Sequence, residues 1–272
     1  MMRFPLRLSL DLARFAIAQK LFGVVGRPLS LHLDLARFSA QPDAALQHGG
    51  NDVAADSSRD AQTLTMVRAS NAPIVWIGGD TPLHYPRIGH LTREIINLGR
   101  TVFIEMDGRL LRRRIHEFRP EPRLYLVLPI MGLQEAHDLR AAHSGSFRAT
   151  LESIRAAKLS GFHICVETPI SADTDLAELR DLTQFVATLD VDGWIQKRIS
   201  VATPPSKEIL ASARDLTPSR GWRSFSRQLT RDVGHSEFAS GDTGKVSSAS
   251  QTKPGNQVNS ELAAREESVR AL

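Results

Sequence analysis

The sequence predicts an α/β protein whose strands run parallel in one sheet. Two observations carry that reading. Short, mostly apolar strand-like runs recur between residues 29 and 199, and segments with helical spacing separate most of them. Near-continuous apolar strands belong in a sheet covered on both faces. Six such units are too many for a small flavodoxin-like sheet and too few for a closed barrel of eight strands. A partial barrel or an open doubly wound sheet remains.

The elements follow in order. Residues 5–25 read as a helix with one wet flank bearing Arg7, Asp11, Arg14 and Lys20. Its longest apolar run, Phe15 to Ala18, is too short for a signal-peptide core or a membrane span. A basic amphipathic helix can lie on a membrane surface; packing on the following domain is the plainer expectation. Leu29 to Leu35 alternates apolar and polar side chains and reads as the first strand. Residues 39–57 read as loop, followed by a short helix over 60–69. The second strand, Ile74 to Ile77, ends in Gly78-Gly79. A helix over 87–98 carries Ile88, Leu91, Ile95 and Leu98 on one face. Thr101 to Ile104 is the third strand, Leu110 to Phe118 a basic helix, and Leu124 to Leu128 the fourth strand. Then come a helix over Ser146–Leu159, a strand over Phe162–Val166, a helix over Asp175–Leu189 and a sixth strand over Trp194–Ile199. Three regions are therefore expected: an N-terminal helix (1–28), a β/α body (29–202) and a low-complexity, disordered tail (203–272).

Composition narrows the function. One cysteine, Cys165, excludes an internal disulfide and a multi-cysteine zinc site, and fits a reducing cytoplasm. A net charge of +4 over 272 residues gives no nucleic-acid footprint, so no specific nucleic-acid partner is expected. Arg109, Arg112, Arg113, Arg114 and Arg119 form the densest basic patch and read as a solvated helix face. Arg220, Arg223, Arg227 and Arg231, with Trp222 and Phe225 between them, are the better candidate for an anionic partner.

Ligands of parallel α/β folds collect at the carboxyl ends of strands. Here those ends read Arg37-Phe38, Gly78-Gly79-Asp80-Thr81-Pro82, Glu105-Met106-Asp107-Gly108, Pro129-Ile130-Met131-Gly132 and Glu167-Thr168-Pro169. The glycine pair lets a backbone approach a ligand closely, or simply makes a tight turn. Glu105 and Asp107 could work as acid and base, although Asp107 suits a helix cap better. Asp80, His84 and His90 lack the paired spacing that favours zinc, so no metal site is expected. His137 and Asp138 are adjacent on a helix, point apart, and do not form a dyad. No catalytic residue is assigned.

In sequence order these strand ends resemble the radical S-adenosylmethionine (SAM) superfamily. Gly78-Gly79-Asp80 resembles the Gly-Gly-Glu-Pro motif that ends the second strand, with Thr81 in the proline position and Pro82 one place later. Met106-Asp107-Gly108-Arg109-Leu110-Leu111, Pro129 to Leu133 followed by His137-Asp138, and the opening Gln19-Lys20-Leu21 resemble the hopanoid-biosynthesis-like branch. The likeness covers about residues 12–199. It implies a partial (β/α)6 barrel, and it implies that Gly78, Gly79, Asp80, Thr81, Glu105 and Asp107 hold S-adenosylmethionine. It also implies that three cluster cysteines would align with Phe38, Pro42 and Ala45, none of which can ligate iron. Polar cofactor-side positions have become Pro129 and Met131. No iron–sulfur cluster and no reductive cleavage are therefore expected.

The expected function is a non-catalytic partner or regulator of an active radical SAM relative, which predicts a filled, apolar mouth. The alternatives are a cluster-independent S-adenosylmethionine sensor or enzyme, which predicts an open cavity lined by Gly78, Gly79, Asp80 and Glu105, and a divergent radical SAM enzyme. Peripheral membrane contact through the N-terminal helix is the lesser expectation.

Overall fold

The computed structural model describes residues 2, 4–22, 28–35, 52–79, 82–199, 204–217 and 219–233. The cluster-cysteine positions Phe38, Pro42 and Ala45, the motif residues Asp80 and Thr81, and the tail beyond residue 233 lie outside these.

Helix α1 (Leu6–Phe22) precedes β1 (Ser30–Asp34), α2 (Asp52–Ser70) and β2 (Ile74–Gly78). After a 3-10 turn at Pro82–His84 come α3 (Ile88–Asn97), β3 (Thr101–Glu105) and α4 (Gly108–Arg114). Next are β4 (Leu124–Pro129), α5 (Gln134–Arg140), α6 (Ser146–Leu159) and β5 (His163–Ile170). The described chain closes with α7 (Leu176–Thr188), β6 (Gly193–Arg198), α8 (Lys207–Leu216) and α9 (Arg220–Val233).

Every strand pairs in parallel with the next one in the chain, giving the order β1-β2-β3-β4-β5-β6. A doubly wound sheet reverses its strand order at a switch point; this sheet never does, and it curls into a half-barrel. Its outer face, with Val75, Ile77, Ile104, Leu126, Leu128, Ile164 and Val166, meets the apolar stripes of the helices, including Leu91 and Ile95 of α3 and Leu182 and Val186 of α7. Burial of these faces is the main term holding the barrel together.

The inner face is aromatic. Register places His32 beside Trp76, Trp76 beside Phe103, Phe103 beside Tyr125 and Tyr125 beside His163. These five rings stack across five strands at centroid spacings of 6.0, 5.2, 4.8 and 5.2 Å. Helices α1 and α9 close the floor beneath them: Leu8 of α1 joins Trp222, Phe225 and Leu229 of α9 in one core with Phe103 and Tyr125. Gly193 is where β6 meets this floor, because a Cβ there would sit 2.4 Å from the Trp222 ring.

Three expectations need correction, and one helix gains its bounds. Residues 52–57 open α2 instead of forming a loop; Asp52 and Ser57 read as loop formers, yet such residues are tolerated in a helix's first turns. The helix expected around His137 and Asp138 is α5, whose bounds the sequence left unmarked because it is seven residues long and mostly polar. Strand β5 runs on through Glu167-Thr168-Pro169. Its pairing with β4 stops at Glu167, so Pro169 meets only β6 there and costs little by lacking an N–H. Finally, two parts of the expected disordered tail form helices: Lys207–Leu216 is α8 and Arg220–Val233 is α9. Trp222 and Phe225 lie buried in the floor, so they form no exposed platform for an anionic partner.

Candidate functional site

The carboxyl ends of the strands form a mouth containing a cavity of about 290 Å³, lined by Gly79, Glu105, Asp107, Pro129, Met131 and Glu167 among others. Strand alternation puts Glu105 two residues above Phe103 and Glu167 two above Cys165, on the inner face. Lys197 reaches the same place from β6, two above Ile195.

Three charges meet there. Lys197 Nζ pairs closely with Glu105 Oε1 and lies 3.4 Å from Glu167 Oε1. The Trp76 indole N–H donates to Glu105 at 2.5 Å. Glu167 is buried, and its Oε2 makes no hydrogen bond. Burial, reinforced by the neighbouring Glu105 charge, pushes the Glu167 carboxyl up to about 7. Burial works against the charge on Lys197, but the two carboxylates outweigh it and raise its pKa. With both carboxylates ionised the group is net negative and presents one unsatisfied oxygen, an arrangement suited to a cation or an amine.

At the rim, Gly79 has φ +108°, and a Cβ there would stand 2.4 Å from Asp34 Oδ1. Only glycine suits that backbone and that approach. A Cβ on Gly78 would likewise press on the Glu105 carboxylate at 2.9 Å. Asp107 lines the cavity, but its side chain caps α4: it accepts the Arg109 N–H at 2.6 Å and pairs with the Arg109 guanidinium at 3.0 Å.

The fourth-strand turn is held from behind. The Met131 N–H donates to His137 Nδ1 at 3.2 Å, and burial lowers the His137 pKa, keeping that nitrogen an acceptor. Asp138 turns the other way and accepts the N–H groups of Gly145 and Phe147, both at 2.7 Å. The two residues serve different loops. In the basic patch, Arg109, Arg112 and Arg114 pair with Asp107, Glu152 and Glu117. His90 lies 3.6 Å from Asp60. No cluster of three metal-ligating side chains occurs among the described residues.

A larger cavity of about 530 Å³ adjoins the mouth beyond β5, sharing Met131 and reaching Thr168, Asp173 and Ile199. Its Arg140 and Glu178 already pair with each other, through contacts of 2.7 and 2.8 Å. The smaller cavity, with its unsatisfied carboxylate oxygen, is the better ligand site.

Gly78, Gly79, Glu105 and Asp107 lie together at the mouth. Glu167 and Lys197 are the charged residues that reasoning did not assign. Their signal was parity: Lys197 shares the inward side of β6 with Gly193 and Ile195, and Glu167 shares that of β5 with Cys165.

Comparison with known proteins gives the family context. Residues 56–186 match the radical SAM superfamily. The chain is also similar in structure to SuiB from Streptococcus suis, solved with S-adenosylmethionine bound (14% identity, TM-score 0.51, covering 86% of this chain and 51% of SuiB). A second SuiB structure gives 17% identity and TM-score 0.51, covering 85% of this chain and 52% of SuiB. At such identities the likeness shows the fold, and the chain spans about half the length of SuiB. TYW1 with a lysine-pyruvate adduct bound is more distant, at 16% identity and TM-score 0.41 over 60% of this chain and 59% of TYW1. No curated protein matches the chain. Among the described residues, no helix is long and apolar enough to cross a membrane.

The donor set does not fit an iron–sulfur cluster. The one cysteine, Cys165, is wholly buried within β5, and burial raises its thiol well above the usual range. A protonated thiol inside a sheet is a core side chain, not a ligand. The glycine rim and the carboxylates do fit the cationic, methionine end of S-adenosylmethionine.

Proposed function

We propose that this chain is a radical-SAM-type half-barrel that binds S-adenosylmethionine at its mouth without reducing it, and so acts as a sensor. The observation that carries this reading is the open cavity that brings Gly79, Glu105 and Glu167 together. A sulfonium and an ammonium suit a site with two carboxylates against one lysine. Gly78 and Gly79 would take the methionine end along their backbone, and Glu105, steadied by Trp76 and Lys197, would supply the countercharge. When bound, the ligand would supply a reactive sulfonium; this chain's own residues bind and orient it. The turn sequences at residues 106–111 and 129–138 favour the hopanoid-biosynthesis-like branch, and the single cysteine suits a cytoplasmic setting.

A second reading, a non-catalytic partner of an active relative, is supported by Pro129 and Met131, which make one wall of the mouth apolar. It ranks second because, among the described residues, the mouth holds a cavity of about 290 Å³.

Isothermal titration with S-adenosylmethionine tests the first reading. Saturable binding is expected, weakened at least tenfold by Gly79→Val in protein that keeps its circular dichroism spectrum. Absence of heat at millimolar ligand would remove the sensor reading and leave the partner reading.

A further inference from the structure

Helix α1 is apolar on two opposite sides. Leu8 is buried in the barrel floor, with Leu12 and Phe15 packed against that core. At about 100° per residue, Leu6, Leu10, Ile17 and Leu21 fall within roughly 60° of one another on the far side. All four are exposed, at 76, 49, 55 and 72%. They are four of the seven large apolar side chains exposed among the described residues. Chance scatter does not put most of a protein's exposed aliphatic surface on one stripe of one helix.

The charges around the stripe have one sign. Arg7 and Arg14 flank one edge, Lys20 flanks the other, and all three are exposed. The acidic residue of the helix, Asp11, is turned inward and pairs with Arg123 at 3.2 Å. The groove between α1 and α9, about 470 Å³, has no acidic residue in its lining. Arg220 and Arg227 add exposed cations from α9.

We infer that α1 is an interfacial helix that seats the barrel floor on an anionic phospholipid surface. An apolar stripe edged by Lys and Arg lies in the headgroup plane, aliphatic side chains down and cations at phosphate level. The opposite face of α1 remains docked in the protein, so seating requires no unfolding. The mouth is at the other end of the strands. The proposal is independent of what the mouth binds.

Co-sedimentation with vesicles tests it, using the full chain at about 0.1 M salt. Vesicles of phosphatidylcholine with about 30% phosphatidylglycerol should bind the protein at least tenfold more tightly than pure phosphatidylcholine. Leu10→Gln with Ile17→Gln should reduce that binding at least tenfold. Arg14→Gln, which leaves the stripe whole, should reduce it about fivefold, the share of one surface cation. Wild-type protein that stays in the supernatant with both vesicle types overturns the inference. So does double-variant protein that binds like wild type. Sedimentation velocity supplies a third check: a dimer abolished by the double variant would assign the stripe to a second copy of the chain instead.

Discussion

Glu167 carries the least comfortable charge in the barrel. Its carboxyl is buried beside another carboxylate, and its folded pKa of about 7 stands well above the ordinary value of 4.5. Below the ordinary value it is protonated in both folded and unfolded chains and costs nothing. Between the two values the folded chain binds the extra proton, so stability falls as pH rises through that window. The loss amounts to at most about 3 kcal/mol by pH 8. Urea unfolding at pH 5 and pH 8 should show it, and Glu167→Gln should flatten the difference. An unchanged pH slope in the variant would mean that Lys197 already neutralises the site fully. The sequence named Glu167 at a strand end but gave no reason to single it out. Its character depends on Lys197, thirty residues later and on the neighbouring strand, and proximity of that kind is a tertiary fact. Gly79 was legible, because a glycine pair after an apolar strand has few physical uses.

At the scale of elements, α9 decides whether the barrel has a floor. Trp222 is fully buried, fits against Gly193 and donates its indole N–H to the Asp192 carbonyl at 2.9 Å. Trp222→Ala should therefore destabilise the protein by about 3–5 kcal/mol. Trp222→Phe keeps most of the packing and loses one hydrogen bond, so it should cost about 1–2 kcal/mol more modestly. Chemical denaturation of the two variants distinguishes floor packing from a peripheral role, for which both would match wild type. This helix was hidden in the sequence by its composition. Its apolar positions, Trp222, Phe225 and Leu229, keep helical spacing, but Arg, Ser, Gln and Thr fill the rest. Strands β2, β3 and β4 were legible for the opposite reason: their runs of aliphatic and aromatic side chains leave no exposed alternative.

The described body is a parallel half-barrel, and the chain's single thiol is sealed in its sheet. Anaerobic reconstitution with iron and sulfide should leave iron far below cluster stoichiometry, unchanged by Cys165→Ala. Cluster-level iron with its visible absorption would sink the non-reducing reading. Six β/α units in order left a partial barrel or a doubly wound sheet, and the resemblance of the strand ends pointed to the half-barrel. Its floor was not legible, since nothing local says that a helix near residue 15 and another near residue 225 share one core.

That shared floor has a consequence for how the chain is made. Each strand adds to the one before it, so the sheet can assemble as the polypeptide emerges, one β/α unit at a time. The aromatic row from Trp76 to Tyr125 is complete roughly a hundred residues before Trp222 arrives to cover it. During that interval the nascent barrel displays a ring-lined concavity that, among the described elements already made, α1 shields. A chaperone that binds apolar concavities would have that interval in which to compete with closure, and the last helix described is the one that ends it.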